Sequence, residues 1–163
     1  MKTKQKRVTI LALFGVKDTH DHKSILKKLS RGVDVNMVDS DGRTLLMEAV
    51  IKGDHRLIEL LIENGADLNI RDLKDWTALH FAAQEYDIVS SRKLIESGSE
   101  INATDDYGNS VISRAVLSSR GRGEVIRALI ENGANINLKN RSGISALDLA
   151  RSISNYDVVQ FMI

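Results

Sequence analysis

The stretch DSDGRTLLMEAVIKGDHRLIELLIENGADLN, residues 39–69, decides the fold because the rest of the chain keeps returning to it. Its closing asparagine, Asn69, has counterparts at Asn36, Asn102 and Asn137, at intervals of 33, 33 and 35 residues. A glycine precedes each, at Gly32, Gly65, Gly98 and Gly133, in the segments RGVDVN, NGADLN, SGSEIN and NGANIN. A second register runs beside the first: DSDGRTLL from Asp39, DLKDWTAL from Asp72, DDYGNSVI from Asp105 and NRSGISAL from Asn140, followed by Ala49, Ala82, Ala115 and Ala150. A period near 33 residues marks stacked helical units, none of which buries its apolar face alone.

Within each unit the local chemistry reads as a short helix, a tight turn, a longer helix and an extended loop. Thr44 caps a helix through about Lys52, because its hydroxyl accepts from an orphan N–H two or three residues on. Gly53 ends it. Leu57, Ile58, Leu60, Leu61 and Ile62 then form an apolar band on the second helix. Gly65 sits where that helix must end left-handed, and Asn69 is expected to bond loop backbone.

Composition bounds the function. The 163 residues carry 23 basic and 22 acidic side chains, a net charge of +1 that argues against a polyanion-binding domain. There is no cysteine, hence no disulfide staple or thiolate metal site, which fits a reducing, cytoplasmic setting. No apolar run approaches the ~20 residues that span a bilayer, so no membrane partner is expected. Lys2, Lys4, Lys6 and Arg7 ahead of Val8 to Phe14 imitate a secretory signal, and residues 1–15 acting as one would make the protein periplasmic or secreted. Against that, Leu13 to Asn36 aligns with Leu46 to Asn69 without a gap, which assigns the apolar stretch to a first helix.

These blocks resemble the ankyrin repeat, whose pattern is roughly D-x-x-G-x-T-P-L-H-x-A, a second apolar helix, then G-A-D-x-N. The resemblance covers about residues 8 to 163. Its best copy keeps Gly42, Thr44, Leu46, Ala49, Gly53, Leu60, Leu61, Gly65, Ala66 and Asp67, and the next keeps Thr77, Leu79 and His80. The proline slot instead holds Leu45, Ala78, Val111 and Ala146, so Ser/Thr caps carry more of the helix start. The resemblance implies an all-α ankyrin solenoid of helix-turn-helix units with β-turn loops. Its units are expected at about 8–38, 39–71, 72–104, 105–139 and 140–163, in one array that is monomeric alone.

The copies differ. The third has Ser90, Ser91 and Lys93 where the second has Leu57, Ile58 and Leu60, and Tyr86 where it has Gly53. Either Ile88 and Val89 replace that packing through a shifted turn, or this unit is weak. The fourth carries two extra residues within Ser118 to Gly123 (SSRGRG), expected as a flexible surface loop. The fifth reaches Ile163 without a closing G-A-D-x-N, leaving Phe161, Met162 and Ile163 either uncapped, folded back on the fourth unit, or cut from a longer chain.

Catalytic readings find little support. His20 and His22 with Asp18 and Asp21 make an H-x-H cluster, but Asp21-His22 falls on Asp54-His55 as an ordinary turn. The SSRGRG stretch lacks the spacing of a phosphate loop, and no nucleophile set has a supporting context. No enzyme, cofactor, metal or nucleic-acid partner is therefore expected.

The resemblance implies that a protein partner docks on the concave face of loop tips and first helices. The slots around the turn glycine hold Asp41, Lys74, Tyr107 and Ser142, then Arg43, Trp76, Asn109 and Ile144. First-helix positions add Ile51, Lys52, Gln84, Glu85, Leu117 and Ser118. The candidate partner-binding set is Arg43, Ile51, Lys52, Lys74, Trp76, Gln84, Glu85, Tyr107, Asn109 and Leu117. Trp76 is expected as an exposed anchor whose loss spares the fold, since Trp, Tyr and Arg dominate interface energetics. One class of function is an inhibitor or immunity protein neutralising a toxin or enzyme, favoured by the basic first unit; the other is an adaptor or scaffold within a larger signalling or effector protein, favoured by the abrupt end. A nucleic-acid or membrane-surface role rests only on Lys2 to Arg7, a run more often a solvated tail.

Overall fold

Each first helix begins at a hydroxyl, which does the work that the missing proline ring would share. Thr9, Thr44, Ser110 and Ser145 accept from the backbone N–H three residues on, opening α1 (Ile10–Leu13), α3 (Leu45–Ile51), α7 (Val111–Ser118) and α9 (Ala146–Ser152). Thr77 opens α5 (Ala78–Glu85), where His80 Nδ1 accepts the Thr77 N–H at 3.1 Å in a capping box. Second helices start on aspartates instead. Asp21, Asp54 and Asp87 cap α2 (His22–Leu29), α4 (His55–Glu63) and α6 (Ile88–Glu96), while α8 (Glu124–Glu131) starts at Gly123 without a side-chain cap. This computed structural model describes residues 8–163, so the Lys2 to Arg7 run and the first half of the signal reading lie outside the described residues.

Among the described residues regular structure comprises these nine helices and a 3-10 turn, Val159–Phe161, with a single isolated bridge between Thr104 and Ser110. The helices pack in two layers. In one, α1, α3, α5, α7 and α9 contact each other in chain order; in the other, α4, α6 and α8 do. Between the layers lies one continuous core that includes Leu46, Leu61, Leu79, Leu94, Ile112 and Leu129.

Polar rungs lock neighbouring units in register on the loop side. Asn36, Asn69 and Asn102 each accept, at 2.8 Å, the backbone N–H of Asp67, Glu100 and Asn135 in the next unit. The asparagine periodicity thus reports bonds between units rather than within one loop. In each turn, the side chain of Asp39, Asp72, Asp105 or Asn140 accepts N–H groups two and four residues on. The turns also join through backbone: Leu73 N–H to Asp41 C=O at 3.0 Å, Asp106 to Lys74 at 3.1 Å, and Arg141 to Tyr107 at 3.0 Å. A third set bridges the second helices. His22 Nε2 lies 3.0 Å from both Asp54 oxygens and His55 Nε2 lies 2.7 Å from Asp87. Burial pushes the Asp54 carboxyl up, but the bonds from His22 and the Leu57 N–H outweigh it and hold the group below its ordinary range. The turn histidine His22 is therefore a partner of Asp54, with a structural job.

The third unit corrects one expectation. Its turn is not shifted: Asp87 caps α6 at the place where Asp54 caps α4, and Val89 stays exposed. Ser90 and Ser91 are buried where Leu57 and Ile58 stand one unit earlier, and Ser91 Oγ has no hydrogen-bond partner. Tyr86 takes the glycine's left-handed conformation (φ 54°) and is buried.

That tyrosine shows what the insertion packs against. The Tyr86 hydroxyl donates to the Arg122 carbonyl, and the Arg122 guanidinium lies 4.2 Å from the Tyr86 ring centre. The SSRGRG segment is thus pinned rather than free. On its other side the tail folds back onto the fourth unit. A Cβ built on Gly121 would stand 2.8 Å from Tyr156, and one on Gly123 2.5 Å from Phe161, so both glycines are needed for ring contact. Val158 and Met162 are buried, Arg127 lies 4.7 Å over the Phe161 ring, and Ile163 remains exposed.

Candidate functional site

The loop tips and first helices bring six of the ten candidate residues into two adjoining grooves. Arg43, Lys74, Trp76 and Gln84 line a groove of about 240 Å³ with Asp72 and Phe81. Gln84, Glu85 and Leu117 line the next, about 300 Å³, with Ser118, Arg120 and Arg122. Gln84 stands between them. Tyr107 lines neither; it projects from the following turn, 67% exposed.

The remaining three are otherwise engaged. Ile51 is half-buried against the core, and Lys52 reaches back to Glu48 at 3.8 Å. Asn109 donates to Asp105 Oδ2 at 3.1 Å and accepts from Asn140 Nδ2 at 2.7 Å, which ties it into the turns.

Trp76 requires a correction. It is only 9% exposed and belongs to the core, 5.0 Å from the Phe81 ring and 5.9 Å from His80. The Arg114 guanidinium lies 4.4 Å from the indole and is held 3.0 Å from Asp105. A loop-tip position left the indole exposed in sequence terms; the first helices of two units converge beneath the tip and cover it. Only its edge reaches the groove.

The electrostatics follow from this packing. Burial raises the Asp105 carboxyl, but bonds from the Asn109 side chain and the Asn109 and Tyr107 N–H groups, with Arg114, bring it below the ordinary value. Burial pushes His80 down to about 4, so the imidazole is neutral near pH 7 and its Nδ1 accepts from Thr77. On the groove wall, Arg43 lies 5.2 Å over the Phe81 ring, and its Nε is buried without a hydrogen-bond partner.

Sequence reasoning missed Leu73, the most exposed large apolar side chain of the loops at 77%. Its signal was available: the same slot holds Ser40, Asp106 and Arg141 in other units. Phe81 and Arg114, the floor and clamp of the indole, were also missed, being first-helix residues whose neighbours only the stacking reveals. Among the described residues no three His, Cys, Asp or Glu side chains cluster as metal ligands, and no helix is long and apolar enough to cross a membrane.

Two layers of short helices stacked in chain order define a helical solenoid. Comparison with family models agrees. Residues 14–105 match ankyrin repeats (3 copies) and residues 116–163 match ankyrin repeats (many copies), so the chain belongs to the ankyrin repeat family. Repeats of this family are non-catalytic modules that mediate protein–protein interaction. Comparison with curated proteins returned no match.

Proposed function

We propose that this chain binds one protein partner, without turnover, through the concave face of its second to fourth repeats. The observation that carries this reading is the row of exposed apolar side chains there: Leu73, Tyr107 and Leu117 are 77%, 67% and 54% exposed. Leu73 and Tyr107 stand on turns that backbone bonds fix to one another, and Leu117, on α7, lines a groove. Water gains nothing from ordered apolar tips on a rigid frame, whereas a partner that covers them gains their burial with little ordering cost. A stiff frame of this kind suits occlusion of a partner's working surface, which supports an inhibitor or immunity protein acting on a toxin or enzyme in the cytoplasm. The chain itself acts as a monomer with no cofactor and no catalytic step.

Affinity capture with the chain as bait, followed by mass spectrometry, tests the class of function. One stoichiometric partner supports the inhibitor; many substoichiometric partners would replace it with an adaptor. Against the captured partner, Tyr107→Ala should weaken binding by roughly thirtyfold, the ~2 kcal/mol of an interface aromatic. Lys27→Ala on the helical back should leave it unchanged, and the reverse pattern would move the working face to the back.

A further inference from the structure

We infer that residues 154–163 are a latch: docked on the insertion of the fourth repeat, they hold the groove lined by Glu85, Leu117, Ser118, Arg120 and Arg122 in its present shape, and lifting them frees it. This goes beyond the docking face proposed above and stands whether or not that groove takes a protein.

The tail occupies the place of a second helix without forming one. Asn140 aligns with Asp39, which sets Val158 and Met162 where the second repeat has Leu57 and Leu61. Both pairs are buried. Yet α4 runs nine residues from its Asp54 cap, whereas α9 gives way to an extended Ile153 and the tail makes only the 3-10 turn. Its backbone bonds, from Val158 to Tyr156, Phe161 to Val158 and Met162 to Val159, stay within the segment, and Gln160 bonds only to Asp157. Among the described residues, therefore, side chains alone fasten the tail onto the array beyond its covalent link to α9. A segment held in this way opens at a lower free energy than a helix within the stack.

The points of attachment decide what opening does. Tyr156 lies against Gly121 and Phe161 against Gly123, so closely that a Cβ on either glycine would stand 2.8 or 2.5 Å from the ring. Arg122, between these glycines, is gripped from the other side by the third repeat. The Tyr86 hydroxyl donates to its carbonyl, and its guanidinium lies 4.2 Å from the Tyr86 ring centre. Burial, with the Glu124 charge, pushes the Tyr86 phenol up to about 12, so it remains a donor across ordinary pH. The insertion thus sits between rings of the third and fifth repeats. It has little hold of its own: α8 starts at Gly123 without a side-chain cap, and Arg120 stands at φ 50°, a left-handed conformation that is costly for a residue other than glycine. Arg120 and Arg122 are also walls of the groove. When the tail lifts, one jaw of the grip is gone and those walls move with the insertion. The coupling is reciprocal, so whatever steadies the groove also steadies the tail.

Native-state hydrogen exchange on the full chain tests this. Phe161→Ala, checked for native circular dichroism, should speed exchange at the Arg122 N–H, which bonds to Ser119, by about tenfold or more. It should also shift the amide resonances of Glu85, Leu117 and Ser118, while exchange at Leu61 in α4 stays unchanged. Tyr156→Ala, which truncates a half-exposed ring, provides the same test if Phe161→Ala does not fold. In the reverse direction, Tyr86→Phe keeps the ring and loses the hydroxyl; it should speed exchange at the Met162 N–H by the same factor as at Arg122. Insertion and groove amides that keep their rates and shifts in Phe161→Ala would overturn the latch and leave the tail a mere cover. So would a Tyr86→Phe effect that stops at Arg122, or a loss of protection that reaches α4 evenly, which would make the tail a staple of the whole array.

Discussion

Replacing Trp76 by alanine should unfold much of what holds the second, third and fourth repeats together. The indole is 9% exposed and touches the Phe81 and His80 rings at 5.0 and 5.9 Å between centres. Truncating a buried aromatic to alanine costs about 3–5 kcal/mol, because apolar contact is lost and the surrounding helices close the void only in part. Arg114, 4.4 Å from the ring, loses a cation–π contact of about 0.5–2 kcal/mol, although its ion pair with Asp105 keeps it from being stranded. Urea unfolding should be followed by far-ultraviolet circular dichroism, since the substitution removes the only tryptophan. The expected loss is about 3–5 kcal/mol for Trp76→Ala and distinctly less for Trp76→Phe, which keeps a ring. A cycle with Arg114→Ala should recover a coupling of about 0.5–2 kcal/mol. A loss below about 1 kcal/mol for Trp76→Ala would refute the reasoning and return the indole to the surface as a free anchor.

Three further outcomes are expected. Amide hydrogen exchange should be faster across residues 88–96 than across 57–63, because α6 buries Ser90 and Ser91 where α4 buries Leu57 and Ile58; equal protection would show that other contacts make up the difference. Gly123→Ala should displace the Phe161 ring, 2.5 Å from the new Cβ, and cost about 1–3 kcal/mol, but cost little in a Phe161→Ala background; a full loss in both backgrounds would dismiss the tail contact as the cause. Stability should fall as pH drops from 6.5 towards 4, because the unfolded chain takes a proton that buried His80 refuses until about 4; this amounts to about 3 kcal/mol in full and is absent in His80→Asn, and identical pH slopes for the two proteins would contradict it. The lowered carboxyls of Asp54, Asp87 and Asp105 act in a different window, below their ordinary value of 3.8.

The fold was legible because one grammar recurs, and each letter of it has a local physical cause. Thr44 caps, Gly65 turns left-handed and Leu61 faces inward whether or not the neighbouring repeats are known. The site was legible only where a side chain's fate is local. Tyr107 projects because its turn is held by Asp105, four residues before α7 begins at Val111; Lys74, four residues before α5, is exposed for the same reason. Trp76 was misjudged because its surroundings come from other repeats: Arg114 lies 38 residues on, and its approach depends on stacking. Ser90 and Ser91 leave open a shifted turn or a weak unit in the sequence, while the structure keeps the register and buries two small polar side chains.

Three arginines of this face are spent on the stack, each lying over an aromatic ring. Arg114 and Arg122 cover Trp76 and Tyr86, and both have a second commitment, to Asp105 and to the Ser119 carbonyl respectively. Arg43 covers Phe81, and its Nε, like that of Arg114, is buried without a hydrogen-bond partner. Arg114 holds the Trp76 ring that edges the groove, whereas Arg122 holds Tyr86 beside the insertion. The repeats therefore build the groove from the same contacts that stack them, and this is why loss of Trp76 should damage fold and recognition together, while loss of the Arg43 charge gives up a cation–π contact with Phe81 of about 0.5–2 kcal/mol.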